Sequence, residues 1–473
     1  MSEEFVRSVL REHAEEGMPA GKDPWPAIKQ RVQAAQQDHG TETMHITVVS
    51  DPGRQKVEAS NVDRWKNAYP GTRRFRFSMA TAMVILLALA AGSFAIITSN
   101  GLQPIAGITP GLGCWRLGPG PEVEAGDTIL TALSARSADD VWAVGYSNSG
   151  GQPRTLVQRW NGQQWSVVPS ANVQSRSNYL TGVAALAPDN VWAVGYHCAG
   201  NCDTDVSPLV QHWDGVQWST AAIPGNGRLN GLAALSANDI WAVGNNGQET
   251  LALHWDGSRW TRVPTNDPPL PGSLFVFNAV TAISPNDIWA VGQEHDTAGN
   301  RYKKLIYHWD GSRWASFSEA AASLGIRLYA VAATAPGDVW AVGEKDNNPS
   351  TEEPLETATM HWDGANWIEM PSLNIGDGGS YLRGVEAISP TDAWALGGYG
   401  PITGTKQTLV LHWDGARWSV VPSPNVEGQS SRFFSADALS ANEIWAIGTY
   451  NLAGTGTFVE RYNNPCTATI PKD

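Results

Sequence analysis

The sequence predicts an all-β fold: a seven-bladed β-propeller of four-stranded blades, its ring closed by an N-terminal strand. A single transmembrane helix and a short α-helical segment precede it. Three observations carry this. A six-residue motif, Asp-(Val/Ile)-Trp-Ala-Val-Gly or a near copy, recurs with its tryptophan at Trp142, Trp192, Trp241, Trp289, Trp340, Trp394 and Trp445, spaced 48 to 54 residues apart. A second motif follows each copy, reading His-Trp-Asp-Gly-x-x-Trp in five of them, Arg-Trp-Asn-Gly at 159 and a degraded Arg-Tyr-Asn-Asn-Pro-Cys at 461. The composition, 22 Trp and 48 Gly among 473 residues with only 16% charged, is that of a packed β-protein rather than a disordered one. A period near 50 residues is the length of one propeller blade.

Residues 1–76 are expected in the cytoplasm. A helix over 2–17 would use Ser2 as cap, Phe5, Val9 and Leu10 as an apolar face and Gly17 as stop. A second would start at Asp23 and Pro24, with Trp25, Ile28 and Val32 along one side. Residues 36–72 read as a polar linker. The helices either dock a cytoplasmic protein through residues 1–40 or form a solvated tail.

Residues 77–98 carry no charge. At about 1.5 Å per residue they reach about 33 Å, enough to cross a bilayer core. Arg73, Arg74 and Arg76 precede them and no basic residue follows until Arg116, which places the N-terminus inside and the C-terminal body outside. The alternative, a cleaved signal peptide, would need an N-terminal region far longer than usual. Cys114, Cys198, Cys202 and Cys466 all follow this segment, as expected of two disulfides in an oxidising compartment.

After a linker at 99–113, the propeller is expected over 114–466, with a tail at 467–473. Each repeat reads as four strands. Strand A ends near Gly-Val-Ala-Ala-Leu (182–186) and strand B is Ile-Trp-Ala-Val-Gly. Strand C ends in His-Trp, Asp-Gly turns the chain, and strand D is Arg-Trp-Thr-Arg-Val-Pro. The last repeat lacks its strand D. Trp-Arg-Leu-Gly-Pro-Gly-Pro-Glu-Val-Glu (115–124) matches Trp-Ser-Val-Val-Pro-Ser-Pro-Asn-Val-Glu (418–427), so the N-terminal strand completes the last blade and covers its edge. Cys114 and Cys466 then form a clasp across the closure, and Cys198 and Cys202 pair within one loop.

These motifs resemble the kelch-like, galactose-oxidase-type propeller repeats over about 350 residues, with one glycine after Trp-Ala-Val where kelch repeats have two. The Asp-Gly-x-x-Trp turn is similar to the Asp-box of sialidase-type propellers, one residue short. The resemblance implies a propeller fold. The order of cytoplasmic segment, span and outer domain resembles membrane-bound anti-sigma regulators of bacteria.

The propeller body is acidic. Residues 1–76 hold 12 basic against 11 acidic side chains, so the rest of the chain carries −15, which argues against nucleic-acid binding. His212, His254, His308, His361 and His412 share one repeat position, are spread round the ring and cannot converge on a metal. No metal, cofactor or catalytic constellation is expected, so the chain reads as not an enzyme. A glycan-active hydrolase or lyase is the alternative, and a transmembrane regulator with the propeller as sensor is another.

Function is expected where the repeats differ. The A–B and C–D turns are short and uniform, whereas the B–C loops (146–154, 196–207, 245–249, 293–303, 344–357, 398–407 and 449–456) vary in length and content on the other face. One strand-A position near that face reads Thr131, Thr181, Asn230, Asn278, Tyr329, Arg383 and Phe434. The position two residues earlier reads Ile129, Tyr179, Arg228, Val276, Arg327, Tyr381 and Arg432. Arg228, Asn230, Asn278, Arg327, Tyr329, Tyr381, Arg383 and Arg432 are therefore the expected ligand-binding residues, for a protein or glycan, at the channel mouth.

The topology is open to direct measurement. Protease added to intact cells should digest the C-terminal body and leave residues 1–70 protected. The reverse pattern would overturn the orientation drawn from the three arginines.

Overall fold

The computed structural model describes residues 113–466, with breaks in the loops of which the longest are 119–127 and 347–353, and four short strands between residues 46 and 104. The chain divides into two compact units, Met1–Ile105 and Ala106–Asp473.

In the first unit, Ile46–Asp51 pairs antiparallel with Arg54–Ala59. The expected polar linker over 36–72 thus contains a hairpin, for a local reason. Ile-Thr-Val-Val is β-branched, and Asp51-Pro52-Gly53 is turn-favouring sequence. Ala95–Thr98 pairs with Gly101–Pro104, taking the last four residues of the expected span and part of the 99–113 linker. Residues 77–94, both expected helices and the 467–473 tail lie outside the described residues. Among the described residues no helix is long and apolar enough to cross a membrane.

The second unit is a ring of seven four-stranded antiparallel sheets. Blade 1 consists of strands A to D at Thr128–Ser137, Asp140–Ser147, Arg154–Trp160 and Trp165–Val167. Blades 2 to 6 repeat this order. Blade 7 takes Ser430–Ser440, Glu443–Asn451 and Thr455–Asn463, and its fourth strand is Cys114–Leu117 from the other end of the domain. Trp115 stands opposite Tyr462 in the ladder, is 5% exposed, and packs on Trp394 and Tyr462 with ring centroids 6.0 and 5.6 Å away. Disulfides join Cys114 to Cys466 and Cys198 to Cys202. In the chain-entropy model a clasp over so long a loop contributes up to about 5 kcal/mol.

The core lies between blades. Trp241 of blade 3 sits among Phe275, Phe277, Ile288 and Trp314 of blade 4, and Trp445 of blade 7 sits with Leu130 and Trp160 of blade 1. Each such ring buries about 150–250 Å², an upper estimate of about 4–6 kcal/mol.

The motif histidines are built into this packing. His254 Nε2 lies 2.8 Å from Asp239 Oδ1 while its ring stacks on Trp241 at 4.5 Å. His308, His361 and His412 pair in the same way with Asp287, Asp338 and Asp392, and His212 with Asn190. In blade 1, Arg159 takes the position, bonding Asp140 and lying over Trp142. The tryptophan of each Trp-Asp-Gly donates its Nε1–H to an A–B turn carbonyl, as Trp255 does to Ala237 at 3.1 Å. In the turn itself Asp256 Oδ1 accepts the main-chain N–H groups of Ser258 and Arg259. These bonds and the Ser258 hydroxyl hold its carboxyl down to about 2. Gly257 follows at φ +90°, with Asn238 so close that a Cβ would meet it at 2.8 Å.

A second constraint sits at the glycine that ends the six-residue motif. In all seven blades the A–B register slips by one residue opposite it, for example between Leu328 and Ala330. A Cβ on Gly145, Gly195, Gly244, Gly292, Gly343, Gly397 or Gly448 would lie 1.8–2.3 Å from a strand-A carbonyl oxygen. The glycine is required by close approach of two backbones at a bulge. It is the tryptophan that serves inter-blade packing.

Gln158, Gln211 and Glu460 occupy one buried strand-C position. Among the described residues neither Glu460 carboxyl oxygen has a hydrogen-bond partner, and burial pushes the group well above its ordinary 4.5. A carboxyl raised in the folded state favours folding fully below about pH 4.5. It loses that contribution as pH rises, by about 1.4 kcal/mol per pH unit over which only the unfolded chain releases the proton. Glu460→Gln, which copies blades 1 and 2, should leave the melting temperature near wild type at pH 4.5 and raise it by at least about 2 °C at pH 8. A difference that does not grow with pH would mean the carboxyl is not held protonated.

Candidate functional site

The seven bulges place one strand-A residue per blade out of register at the channel wall: Thr131, Thr181, Asn230, Asn278, Tyr329, Arg383 and Phe434. Their side chains divide round the ring. Thr131 donates to the Leu180 carbonyl at 2.8 Å and Thr181 to that of Leu229 at 2.7 Å. Asn230 donates to Phe277 at 2.8 Å and Asn278 to Leu328 at 2.7 Å. In blades 1 to 4 the bulge residue therefore bonds the next blade. Asn230 and Asn278, expected to face a ligand, spend their amides on these clamps.

In blades 5 and 6 the same position builds a cluster. Arg327, Tyr329 and Arg383 converge on Glu344, which is 3% exposed. Arg327 Nε is 2.9 Å from Glu344 Oε1, the Tyr329 hydroxyl donates to that oxygen at 2.8 Å, and Arg383 Nη2 is 3.6 Å from Oε2. The Arg383 guanidinium lies over the Tyr329 ring, 3.5 Å from its centroid, and Arg327 lies over Tyr302 at 4.4 Å. Burial pushes the Tyr329 phenol up to about 12, so the hydroxyl remains a donor to Glu344. A buried carboxylate is tolerated only when paired and hydrogen-bonded, and here two guanidiniums and a phenol share that task.

Sequence reasoning missed Glu344 because it assigned 344–357 to a loop. Strand B of blade 5 continues to Lys345, so Glu344 stands in the ladder opposite Arg327. The position after the motif glycine reads Tyr146, Tyr196, Asn245, Gln293, Glu344, Gly398 and Thr449. That variation was the signal available, since the position lies beside strand A near the same mouth.

The remaining expected residues fall on either side. Tyr381 stands opposite Gly398, with Arg432 close by in blade 7. Arg228 bonds the Cys202 carbonyl and lies over Tyr196 at 5.0 Å. Tyr196 stacks on Tyr179 at 4.8 Å, and Tyr179 meets Tyr146 edge to face at 4.8 Å. Further down strand A, Glu386 and Asp437 line the channel, and neither was singled out from sequence. Asp437 accepts the Ala135 N–H of the neighbouring blade at 2.7 Å, and burial pushes its carboxyl up to about 6. Glu386 is pushed up by burial and then by the nearby Asp437. No group of three or more metal-ligating side chains occurs among the described residues.

No family model matches the chain, and no curated protein does. Among solved structures it is similar to an ulvan lyase, a polysaccharide lyase, at 10% identity and TM-score 0.50, covering 71% of this chain and 93% of that one. It is also similar to the Trypanosoma rangeli sialidase in complex with sialic acid, at 12% identity and TM-score 0.44, covering 72% and 54%. A third is the SapL1 lectin in complex with α-methyl fucoside, at 17% identity and TM-score 0.40, covering 64% and 98%. The likeness is one of fold. It corrects the expectation that this chain is not an enzyme. A propeller of this fold is a polysaccharide lyase, so the absence of a recognisable catalytic motif in the sequence does not exclude catalysis. At such identity no activity passes to this chain either.

The two uses of the bulge position should separate in stability. Asn278→Ala leaves the Leu328 carbonyl without its donor and should cost about 1–3 kcal/mol. Arg383→Ala, at a side chain 30% exposed with no hydrogen bond among the described residues, should stay within about 0.5 kcal/mol of wild type. Denaturant midpoints of the two variants check this, and equal losses would contradict the division.

Proposed function

We propose that the propeller is a ligand-binding head that takes a protein or glycan at its channel mouth, on the face of variable loops. The observation that carries this is the convergence of Arg327, Tyr329 and Arg383 on the buried Glu344. Such a group orders long side chains at the surface end of a rigid channel, and preorganised polar groups in a concave site are what recognition uses. Four arginines at that rim, in a domain of net charge −15, stand out from the surrounding acidic surface. The reading includes residues 77–98 as a membrane anchor that holds the head outside the cell, with its propeller related to the kelch-like repeats.

The test uses the full chain in detergent micelles, screened against a glycan array and an extracellular protein library. A mouth variant, Arg383→Ala, should weaken the captured ligand at least about tenfold, or about 1.4 kcal/mol, with little change in melting temperature. Gly257→Ala, on the uniform face, should lower the melting temperature because it strains a φ +90° turn. It should leave binding intact in the folded fraction. A ligand lost on changes at the Asp-Gly turns and indifferent to the mouth variant would place function on the other face.

A further inference from the structure

Of the four arginines at the mouth, two are committed. Arg228 is bonded to the Cys202 carbonyl and Arg327 is paired with Glu344. The other two are not. Arg383 makes no hydrogen bond to any described residue, only the stacked contact with Tyr329 and the 3.6 Å approach to a carboxylate already shared. Arg432 makes neither hydrogen bond nor ion pair among the described residues and is exposed, with its guanidinium 5.4 Å from the Phe434 ring centroid. The Tyr381 hydroxyl also lacks a partner among them. The Arg383 guanidinium is 5.4 Å from the Tyr381 ring.

Gly398 explains the gap. Six blades place a side chain after the motif glycine and blade 6 places none. A Cβ there would lie 2.8 Å from the Tyr381 hydroxyl and 3.2 Å from Arg432 Cβ. The backbone does not require glycine, since φ at 398 is not in the left-handed region. What its absent side chain provides is the place of the Tyr381 hydroxyl, which it lets sit beside Arg432, with the Arg383 guanidinium 5.4 Å from the Tyr381 ring.

We infer that Arg383, Arg432 and Tyr381, the last seated over Gly398, form an anion subsite that binds the acidic group of a sugar, a uronate carboxylate or a sulfate ester. The inference rests on the proposed role of the mouth in ligand binding and adds the ligand's chemistry. Guanidinium forks match carboxylate and sulfate geometry, and a phenol adds a third donor. An acidic domain repels anions at long range, so Arg432, which has no ion pair among the described residues, and Arg383, which shares Glu344 with Arg327, gain an anionic partner from a ligand held at contact distance. The surroundings favour a sugar over a peptide. Blades 1 and 2, next round the ring after blade 7, carry the Tyr146, Tyr179 and Tyr196 run, and amphipathic tyrosine rings suit a hydroxylated sugar. A peptide would more commonly be held by a free sheet edge or by apolar grooves.

The test is calorimetric titration of the full chain in detergent micelles with a panel of uronate and sulfated oligosaccharides. Their carboxyl-reduced and desulfated counterparts serve as neutral controls, and oligoglutamate as the peptide arm. At least one acidic sugar should bind about tenfold or more tighter than its neutral counterpart. Whether uronates or sulfate esters show the preference identifies the group. Arg432→Ala, at an exposed side chain and therefore safe for folding, should abolish the preference, as should Arg383→Ala. Gly398→Ala keeps both arginines and should weaken acidic sugars about tenfold by displacing the Tyr381 hydroxyl, with the melting temperature as fold control. No preference for any acidic sugar overturns the inference, as does a preference that survives both arginine variants. Capture of oligoglutamate in place of sugars overturns it in favour of a peptide site. A neutral ligand sensitive to the Tyr329 and Glu344 cluster but indifferent to Arg432 and Gly398 overturns this inference alone and leaves the mouth as a binding site.

Discussion

The structure turns on one steric fact: at the end of each Trp-Ala-Val-Gly, a strand-A carbonyl oxygen lies within 1.8–2.3 Å of where a Cβ would be. Only glycine permits that approach, and the approach makes the bulge. A bulge re-aims a side chain that regular pairing would direct elsewhere. Repeated seven times, it sets a ring of re-aimed side chains at the channel wall. Much of the mouth is what a particular blade does with that position and with the strand-A and strand-B residues beside it.

Blades 1 to 4 use it to bond the next blade, through Thr131, Thr181, Asn230 and Asn278. Blades 5 and 6 use it to assemble a polar cluster on Glu344, and blade 7 places Phe434 there. The ring is thus mechanically uneven: one arc is tied and another carries free chemistry. The tied arc includes the start of the ring, and the loose arc relies on other bonds. Asp437 reaches the Ala135 main chain across the closure, and the Cys114–Cys466 disulfide with the Trp115 strand fastens the last blade from outside. Buried Trp340 and Trp394 still pack blades 5 to 7 together.

The opposite face is uniform for an equally local reason. Each Asp-Gly turn is held by its own carboxylate, each Trp-Asp-Gly indole bonds an A–B turn, and each histidine links the start of strand B to the end of strand C. Those bonds use the polar groups of the motif within the blade, which leaves the uniform face little to offer a ligand. Side chains at the mouth, in contrast, are free to differ because the bulge geometry depends on backbone and on one glycine.

Much of this was determined by the sequence alone. Blade number, strand order, the closing strand at Trp115, both disulfides and the face of variation followed from a period near 50 residues, because repeats that pack only on their neighbours leave a one-dimensional record. The hairpin at Ile46–Ala59 is legible only in the β-branched Ile-Thr-Val-Val and the turn-favouring Asp51-Pro52-Gly53, because the polar composition of 36–72 is equally that of a linker. What the tertiary structure decided was which variable residues meet. Periodicity places Arg327, Tyr329 and Arg383 near one rim but gives no side-chain direction, and a bulge changes that direction without leaving a signal of its own beyond a glycine. It also cannot show that Glu344 is strand and not loop, since a single strand past its motif is recognised only by the partner it pairs with. Asn230 and Arg383 occupy the same repeat position; that one is an inter-blade hydrogen bond and the other a guanidinium stacked on Tyr329 beside Glu344 depends on which atoms the neighbouring blade brings within reach, and only the closed ring fixes those.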